Sequence, residues 1–192
     1  MSKYKYHLED VEWREFIVGG KHGIFEVFTG ALIQKNSIKA GLYPRISATD
    51  SDNGVCDFTK VLDDKNYRSY DNFISISFLG SVFYQKHLCS LDMKIHGIKP
   101  KERELNKQVA HFLVPLVKKF ASKYSYGNQL STKVLNRQKL MLPIDKDGKP
   151  NWSFMEAYIK EREVEKKKQL IEYYKDKLVE SVLDPDILSD VE

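Results

Sequence analysis

Cysteine and long apolar segments are what this sequence has least of. Its 192 residues include two cysteines, Cys56 and Cys89, far apart and without a pairing pattern. This usage excludes a disulfide scaffold and predicts reduced thiols. No run of about 18 uninterrupted apolar residues occurs, and the first ten residues (MSKYKYHLED) lack the apolar region of a secretory signal. The sequence therefore predicts a cytoplasmic protein with no membrane span.

Motifs of known catalytic sites are also missing. Neither G-x-G-x-x-G, nor a P-loop, nor G-x-S-x-G occurs, which disfavours nucleotide-driven chemistry and a hydrolase nucleophile. His87 and Cys89 form a single H-x-C pair, which is too few ligands for zinc. A calcium loop with Gly54 at its sixth position fails, because Thr49 and Lys60 occupy the first and twelfth positions. We expect no catalytic residue, no metal and no cofactor.

Carboxylate–lysine triplets leave one alternative open. Residues 147–149 (DGK) and 165–167 (EKK) combine the residue types found in metal-dependent nucleases. Such triplets arise by chance in a chain that is 30% charged. The alternative to a binding protein is therefore a small nuclease or DNA-modifying enzyme fragment that uses these carboxylates.

The charge is distributed unevenly along the chain. Residues 1–150 carry 24 Lys and Arg against 16 Asp and Glu, a net charge of +8, whereas residues 151–192 carry 7 against 11, a net charge of −4. A basic body with an acidic tail indicates a polyanionic partner for the body and a protein or solvent environment for the tail. Surface Lys and Arg also serve solubility alone, so charge by itself only favours nucleic acid.

The body is rich in aromatic and β-branched segments that are separated by turn residues such as Gly19-Gly20, Asn53-Gly54 and Asp63-Asp64. This pattern is typical of short β-strands. The predicted strands are residues 12–18, 24–29, 42–47, 73–78 and 82–85.

Helical periodicity begins at Leu105. Apolar residues recur every three or four positions from there to Tyr124, which predicts an amphipathic helix with a kink or break near Pro115. Residues 133–142 form a short helical or extended piece, and residues 145–151 form a polar turn.

A long helix is predicted after this turn. Ser153 and Glu156 match a capping box, and nothing breaks the helix before Pro185, which gives about 31 residues and roughly 46 Å. Its apolar seam comprises Val164, Ile171, Tyr174 and Leu178. A helix of this length is expected to pair with another helix in a coiled coil, although Lys167 and Lys168 interrupt the seam, and packing on its own domain stays open.

These segments predict an α+β fold. A β-rich domain with packed helices spans residues 1–150, the long helix for coiled-coil pairing spans residues 151–184, and a tail spans residues 185–192.

Several stretches in this order resemble a known family. They are residues 13–16 (WREF), 41–50 (GLYPRISATD) leading into Asn53-Gly54-Val55, 72–76 (NFISI), 80–85 (GSVFYQ), 126–135 and 142–159. Together they resemble the target-recognition domains of DNA specificity subunits from Type I restriction-modification systems and their Type IIG relatives, over nearly the whole chain.

The resemblance implies a function without catalysis. Such subunits have two recognition domains, each followed by a long helix, and the two helices pack antiparallel; this sequence matches half of that plan. The subunit selects a bipartite DNA site while separate or fused methyltransferase and restriction subunits act on it. The expected partners are therefore double-stranded DNA, those subunits and a second copy of the chain through the long helix.

Candidate DNA contacts are chosen by residue type. Arg suits guanine, Asn and Gln suit adenine, and Lys suits phosphate. We expect contacts from three polar segments: Arg45, Ser47, Thr49 and Asn53; Tyr84, Gln85 and Lys86; Asn128, Gln129 and Lys133.

Overall fold

The computed structural model describes residues 4–62 and 66–182. The turn predicted at Asp63-Asp64 and the tail at residues 185–192 lie outside these residues. The strands are β1 (Trp13–Ile17), β2 (Phe25–Thr29), β3 (Ala40–Ile46), β4 (Val55–Thr59), β5 (Ser69–Tyr70), β6 (Phe73–Ser77), β7 (Val82–Gln85), β8 (Cys89–Leu91), β9 (Ile95–Pro100) and β10 (Lys139–Pro143). The helices are α1 (Lys107–Ala121), α2 (Thr132–Arg137) and α3 (Trp152–Val182). The predicted α+β class is confirmed.

A central antiparallel sheet of order β2-β9-β6-β7 organises the body. Alternate side chains of β6 enter two different cores. Ile74 and Ile76 pack with α1, whereas Phe73 packs with residues of the second sheet, which has the order β4-β3-β8-β5. Every residue of β6 is therefore buried, and the body has three layers: helices, central sheet and second sheet.

Strands β1 and β10 bring the two ends of the body together. They pair antiparallel from Trp13 with Pro143 to Ile17 with Lys139. Leu140 and Leu142 of β10 point into the helical core. The chain thus returns to its first strand immediately before α3 begins.

Helix α1 runs through Pro115 without the predicted break. Its first turn is capped by Asn106, whose Oδ1 accepts from the Val109 amide at 2.9 Å. Phe112, Leu113 and Val117 are buried on both sides of the proline. Their burial offsets the lost hydrogen bond, a cost of about 3 kcal/mol.

The start of α3 differs from the predicted capping box. Asn151 caps the helix, since its Oδ1 accepts from the Phe154 amide at 3.0 Å. Glu156 instead contacts the segment that precedes α1, accepting from Asn106 Nδ2 at 2.7 Å and lying 3.5 Å from Arg103. Both Asn151 and Ser153 have side chains that can cap a helix. Asn151 is the cap because Phe154 and Met155, in the first turn of α3, pack into the core.

The body contacts described for helix α3 lie in its first three turns. Glu163 lies 3.0 Å from Lys107 of α1. The backbone amides of Lys5 and Tyr6 donate to Glu161 at 2.7 and 3.2 Å, and Arg162 donates to the Tyr6 carbonyl at 3.0 Å. From residue 166 to residue 179 every side chain is exposed, so this part of the helix projects from the body.

Other sequence expectations need correction. Residues 133–142 divide into α2 and β10. Strands β4, β5, β8 and β9 were not predicted. Strand β9 is buried along almost its whole length, so it lacks the alternation of apolar and polar residues that identifies a half-exposed strand.

Candidate nucleic-acid interface

The first two candidate segments meet at one end of the central sheet. After β3 the chain forms a 3-10 turn at Asp52–Gly54, in which Asn53 is exposed and has φ 56°. This left-handed conformation suits Asn better than most residues. The Asn53 side-chain amide donates to the Tyr84 carbonyl at 3.3 Å, which places the turn against the end of β7.

Gln85 anchors this turn from inside. Its side chain is 5% exposed, and its Nε2 donates to the Asn53 carbonyl at 2.8 Å and to Ser75 Oγ at 3.2 Å. The amide is therefore engaged within the fold. Lys86, the next residue, is exposed, so the anchor and an outward cation are adjacent in sequence.

The other residues of these segments support the same corner. Ser47 donates its amide to the Gly54 carbonyl at 2.9 Å, and Thr49 Oγ1 lies 3.0 Å from Ser51 Oγ. The Tyr84 hydroxyl donates to Asn72 Oδ1 at 2.9 Å. Burial raises the pKa of the Tyr84 phenol, so this group stays neutral and acts as a donor.

Arg45 is tied to the second sheet. Its guanidinium lies 3.5 Å from Asp92, and its Nε donates to Cys56 Sγ at 3.3 Å. Burial raises the pKa of the Asp92 carboxyl, and the attraction of Arg45 offsets this only in part. Arg45 is therefore paired with Asp92 within the fold, although part of its side chain is exposed.

The third candidate segment lies at the other end of the central sheet. Gln129 Oε1 accepts from Lys94 Nζ at 3.2 Å, and Lys94 directly precedes Ile95, the partner of Ser77. Gln85 pairs with Phe73 at the opposite end of β6, roughly 13 Å away at about 3.3 Å per residue. Asn128, Gln129 and Lys133 are exposed, but they do not join the Asn53 cluster.

Sequence reasoning missed the residues that support this corner. Ser75, Asn72 and Asp92 hold Gln85, Tyr84 and Arg45 respectively. Asp92 is distant from Arg45 in sequence, whereas Ser75 and Asn72 contact Gln85 and Tyr84 across the neighbouring strands β6 and β7, whose register the sequence did not give.

The four seam residues of α3 are exposed. Val164 is 52%, Ile171 55%, Tyr174 63% and Leu178 67% exposed. Three further apolar side chains of α3 are exposed away from the centre of this seam: Leu170, Tyr173 and Val179.

Two classes of site were not found in the described part of the chain. No group of three or more His, Cys, Asp or Glu side chains there could hold a metal ion. Over the same residues, no helix has the length and apolar character needed to cross a membrane.

Neither cysteine forms a disulfide. Burial raises the pKa of the Cys89 thiol to about 12, which makes this thiol unreactive. Cys56 is exposed.

Comparison with known proteins gives consistent relatives. The chain is 31% identical over 156 residues to the Type II restriction enzyme BgcI specificity subunit S.BcgI of Heyndrickxia coagulans, a match of 79% of this chain and 44% of that protein. The chain thus spans less than half the length of this curated relative.

Solved structures share the fold at low identity. The S subunit of a Type-I restriction-modification system from M. genitalium matches with a TM-score of 0.58 and 16% identity, over 94% of this chain and 45% of that chain. The HsdS subunit from Thermoanaerobacter tengcongensis matches with a TM-score of 0.52 and 14% identity, over 77% and 36%.

The family assignment comes from the sequence match. The family model described as the Type I restriction modification DNA specificity domain matches residues 11–173, which includes the body and most of α3. This chain therefore belongs to the family of Type I restriction modification DNA specificity domains.

Proposed function

We propose that this chain recognises a specific DNA sequence for a restriction-modification system and that its own residues do not catalyse the reaction. It would position methyltransferase and restriction subunits, in the cytoplasm, on a bipartite site. The observation that carries this proposal is the anchored turn at Asn53. An exposed amide held in one conformation beside the exposed Lys86 suits base readout next to a phosphate contact.

The candidate contacts divide by their surroundings. Asn53 and Lys86 are exposed at the anchored corner, and we propose them as direct contacts, with Ser47 and Thr49 on the same loop. Gln85 and Tyr84 would contribute by holding the Asn53 turn in place. Arg45 would contact the DNA while it stays paired with Asp92. Asn128, Gln129 and Lys133 would contact a second stretch of the same duplex, because they lie at the other end of the sheet.

DNA selection tests the main proposal. The chain, with the cognate methyltransferase, is incubated with randomised duplexes, and the bound fraction is sequenced. Enrichment of one motif is expected, and its absence would contradict the proposal. Asn53→Ala should then relax the preference at one base position, whereas Lys86→Ala should weaken all sequences equally and lower the salt slope by about 1.

Salt dependence tests the role of the basic body. If the net +8 of residues 1–150 carries the affinity, the logarithm of the binding constant should fall steeply with the logarithm of salt concentration. A flat dependence would indicate a protein ligand instead of DNA.

We further propose that α3 pairs with α3 of a second copy. The exposed seam needs an apolar partner to leave water, and antiparallel two-fold pairing would cover both seams with one contact. Two basic bodies would then read inverted half-sites separated by unread base pairs. The division of the chain at residue 150 into a recognition domain and a spacer helix is part of this proposal.

Sedimentation equilibrium tests the pairing. A mass near twice 22.4 kDa is expected, and Ile171→Asp with Leu178→Asp should restore the single mass. Gln169→Asp with Tyr173→Asp, which adds the same charge at exposed positions on the opposite side of the helix, serves as control. A single mass at high micromolar concentration would exclude a stable homodimer.

One assay addresses catalysis directly. The purified chain is incubated with plasmid, magnesium and S-adenosylmethionine. Nicking or methyl transfer that persists through further purification would overturn the non-catalytic assignment and restore the nuclease alternative.

A further inference from the structure

A cavity of about 360 Å³ opens between the end of β1, the start of β2 and the start of α3. Its partly buried lining residues are apolar and include Phe16, Ile24 and Trp152. Three of its exposed lining residues are lysines: Lys21, Lys101 and Lys149. The cavity thus combines an apolar wall with a cationic opening.

The walls of this cavity are fixed by contacts within the fold. Lys101 Nζ donates to the Gly20 carbonyl at 2.6 Å, which holds the turn that carries Lys21. Arg14 Nη1 donates to the Gly148 carbonyl at 3.4 Å on the opposite side. Trp152 meets Phe25 edge to face, with ring centroids 6.4 Å apart. A ligand would therefore meet a site that is largely formed before binding.

The three lysines have no acidic partner in the described part of the chain. No carboxylate lies within 4.0 Å of their ammonium groups there, whereas Lys99 and Lys107 have acidic partners at 3.3 and 3.0 Å. One acidic residue, Glu102, also lines the cavity, so the charge of its lining is +2 from these four side chains. The first turn of α3 adds the positive end of its helix dipole. An anionic ligand would complete this arrangement.

The position of the cavity relates it to the Asn53 turn. Phe25 at the start of β2 pairs with Pro100 at the end of β9, and Lys101 follows directly. In the antiparallel sheet this end is also the start of β6 and the end of β7, where Gln85 lies. Three interstrand steps separate β2 from β7, roughly 14 Å, which is about four base-pair rises along one DNA strand. The cavity and the Asn53 turn therefore lie at the same end of the central sheet.

We propose that this cavity binds a phosphate–deoxyribose unit. The lysines would hold the phosphate, and the apolar wall would pack against the sugar. The unit could belong to a DNA strand, in which case this inference rests on the proposed function, or to a free nucleotide. In the DNA case the cavity supplies affinity and orientation at a distance from the base-reading turn.

The test compares two variants with the same loss of charge. Lys21→Gln with Lys149→Gln removes two cations from the cavity, and Lys118→Gln with Lys119→Gln removes two exposed cations from the last turn of α1. Each variant and the wild-type chain are titrated with a DNA duplex and, separately, with thymidine 5′-monophosphate. Trp152 fluorescence reports the cavity, and Trp152→Phe identifies its share of the signal.

A DNA ligand predicts that the cavity variant binds every duplex about tenfold more weakly than the control variant, with a salt slope lower by about 1. A free-nucleotide ligand predicts quenching by thymidine 5′-monophosphate that both the cavity variant and Trp152→Phe lose. The inference is overturned if the cavity variant matches the control variant with both ligands. Failure of the proposed function is a separate result, namely no enriched motif for the wild-type chain, and the nucleotide titration still decides the cavity.

Discussion

Replacing Gln85 by Leu tests whether the candidate DNA-reading turn is held from inside the fold. Leu keeps most of the side-chain volume but removes the donor to the Asn53 carbonyl at 2.8 Å and to Ser75 Oγ at 3.2 Å. Ser75 Oγ keeps its own donation to the Phe83 carbonyl. The main cost is therefore a carbonyl group that loses its partner at a partly buried contact.

The expected loss is about 2 kcal/mol of unfolding free energy, because two hydrogen bonds are lost at about 1 kcal/mol each. For a chain of 192 residues this corresponds to a Tm lower by about 4–8 °C. DNA affinity should fall as well, although Gln85 is only 5% exposed, because the Asn53 turn loses its anchor.

Urea unfolding and duplex binding measure the two effects on the same samples. Lys86→Ala is the matched control, since this exposed neighbour should change stability by less than about 0.5 kcal/mol while weakening DNA binding through lost charge. The reasoning is refuted if Gln85→Leu unfolds within 0.5 kcal/mol of wild type, or if it loses stability and binds the selected duplex unchanged.

Three further predictions concern the body and its junction with α3. Burial lowers the pKa of His96 below its usual 6.5. The unfolded chain is therefore protonated at a higher pH than the folded chain, so the free energy of unfolding should fall as the pH drops through 6.5. His96→Gln should reduce this difference between urea titrations at pH 7 and pH 5. Leu142→Ala should cost about 3 kcal/mol because Leu142 is fully buried, whereas Met141→Ala, at a half-exposed neighbour, should cost under about 0.5 kcal/mol in the same unfolding assay. Arg162→Ala removes the hydrogen bond to the Tyr6 carbonyl and two cation–π contacts, to Tyr4 and Tyr158, together about 2–3 kcal/mol. Amide exchange at Tyr6 should therefore accelerate, and unchanged exchange would show that Arg162 does not hold the segment.

Local periodicity was enough to predict the two longer helices, α1 and α3, but not α2. The long helix was expected at residues 151–184 and is described at Trp152–Val182, because its charged and apolar positions repeat over many turns. Its N-cap could not be assigned from sequence. Asn151 and Ser153 both have capping side chains, and the burial of Phe154 and Met155 against the body decided between them.

Two of the four strands that were not predicted, β8 and β9, are buried on both faces. Strand β9 has no polar face to give a period of two, and β8 has three buried residues in a segment that reads as a loop. Their pairing partners come from distant parts of the chain, so only the assembled sheets define them.

Residue periodicity and motif order determined the class of fold, the family and the apolar seam of α3, because these are properties of local sequence, whereas the structure showed that the seam is exposed. Tertiary structure decided which candidate residues act together. It brought Asn53 to Tyr84 and Gln85 across 31 and 32 positions of sequence, and it placed Gln129 at the opposite end of the central sheet. It also assembled the cationic cavity from three separate segments. Such arrangements depend on strand order and register, which arise from long-range pairing that no single segment encodes.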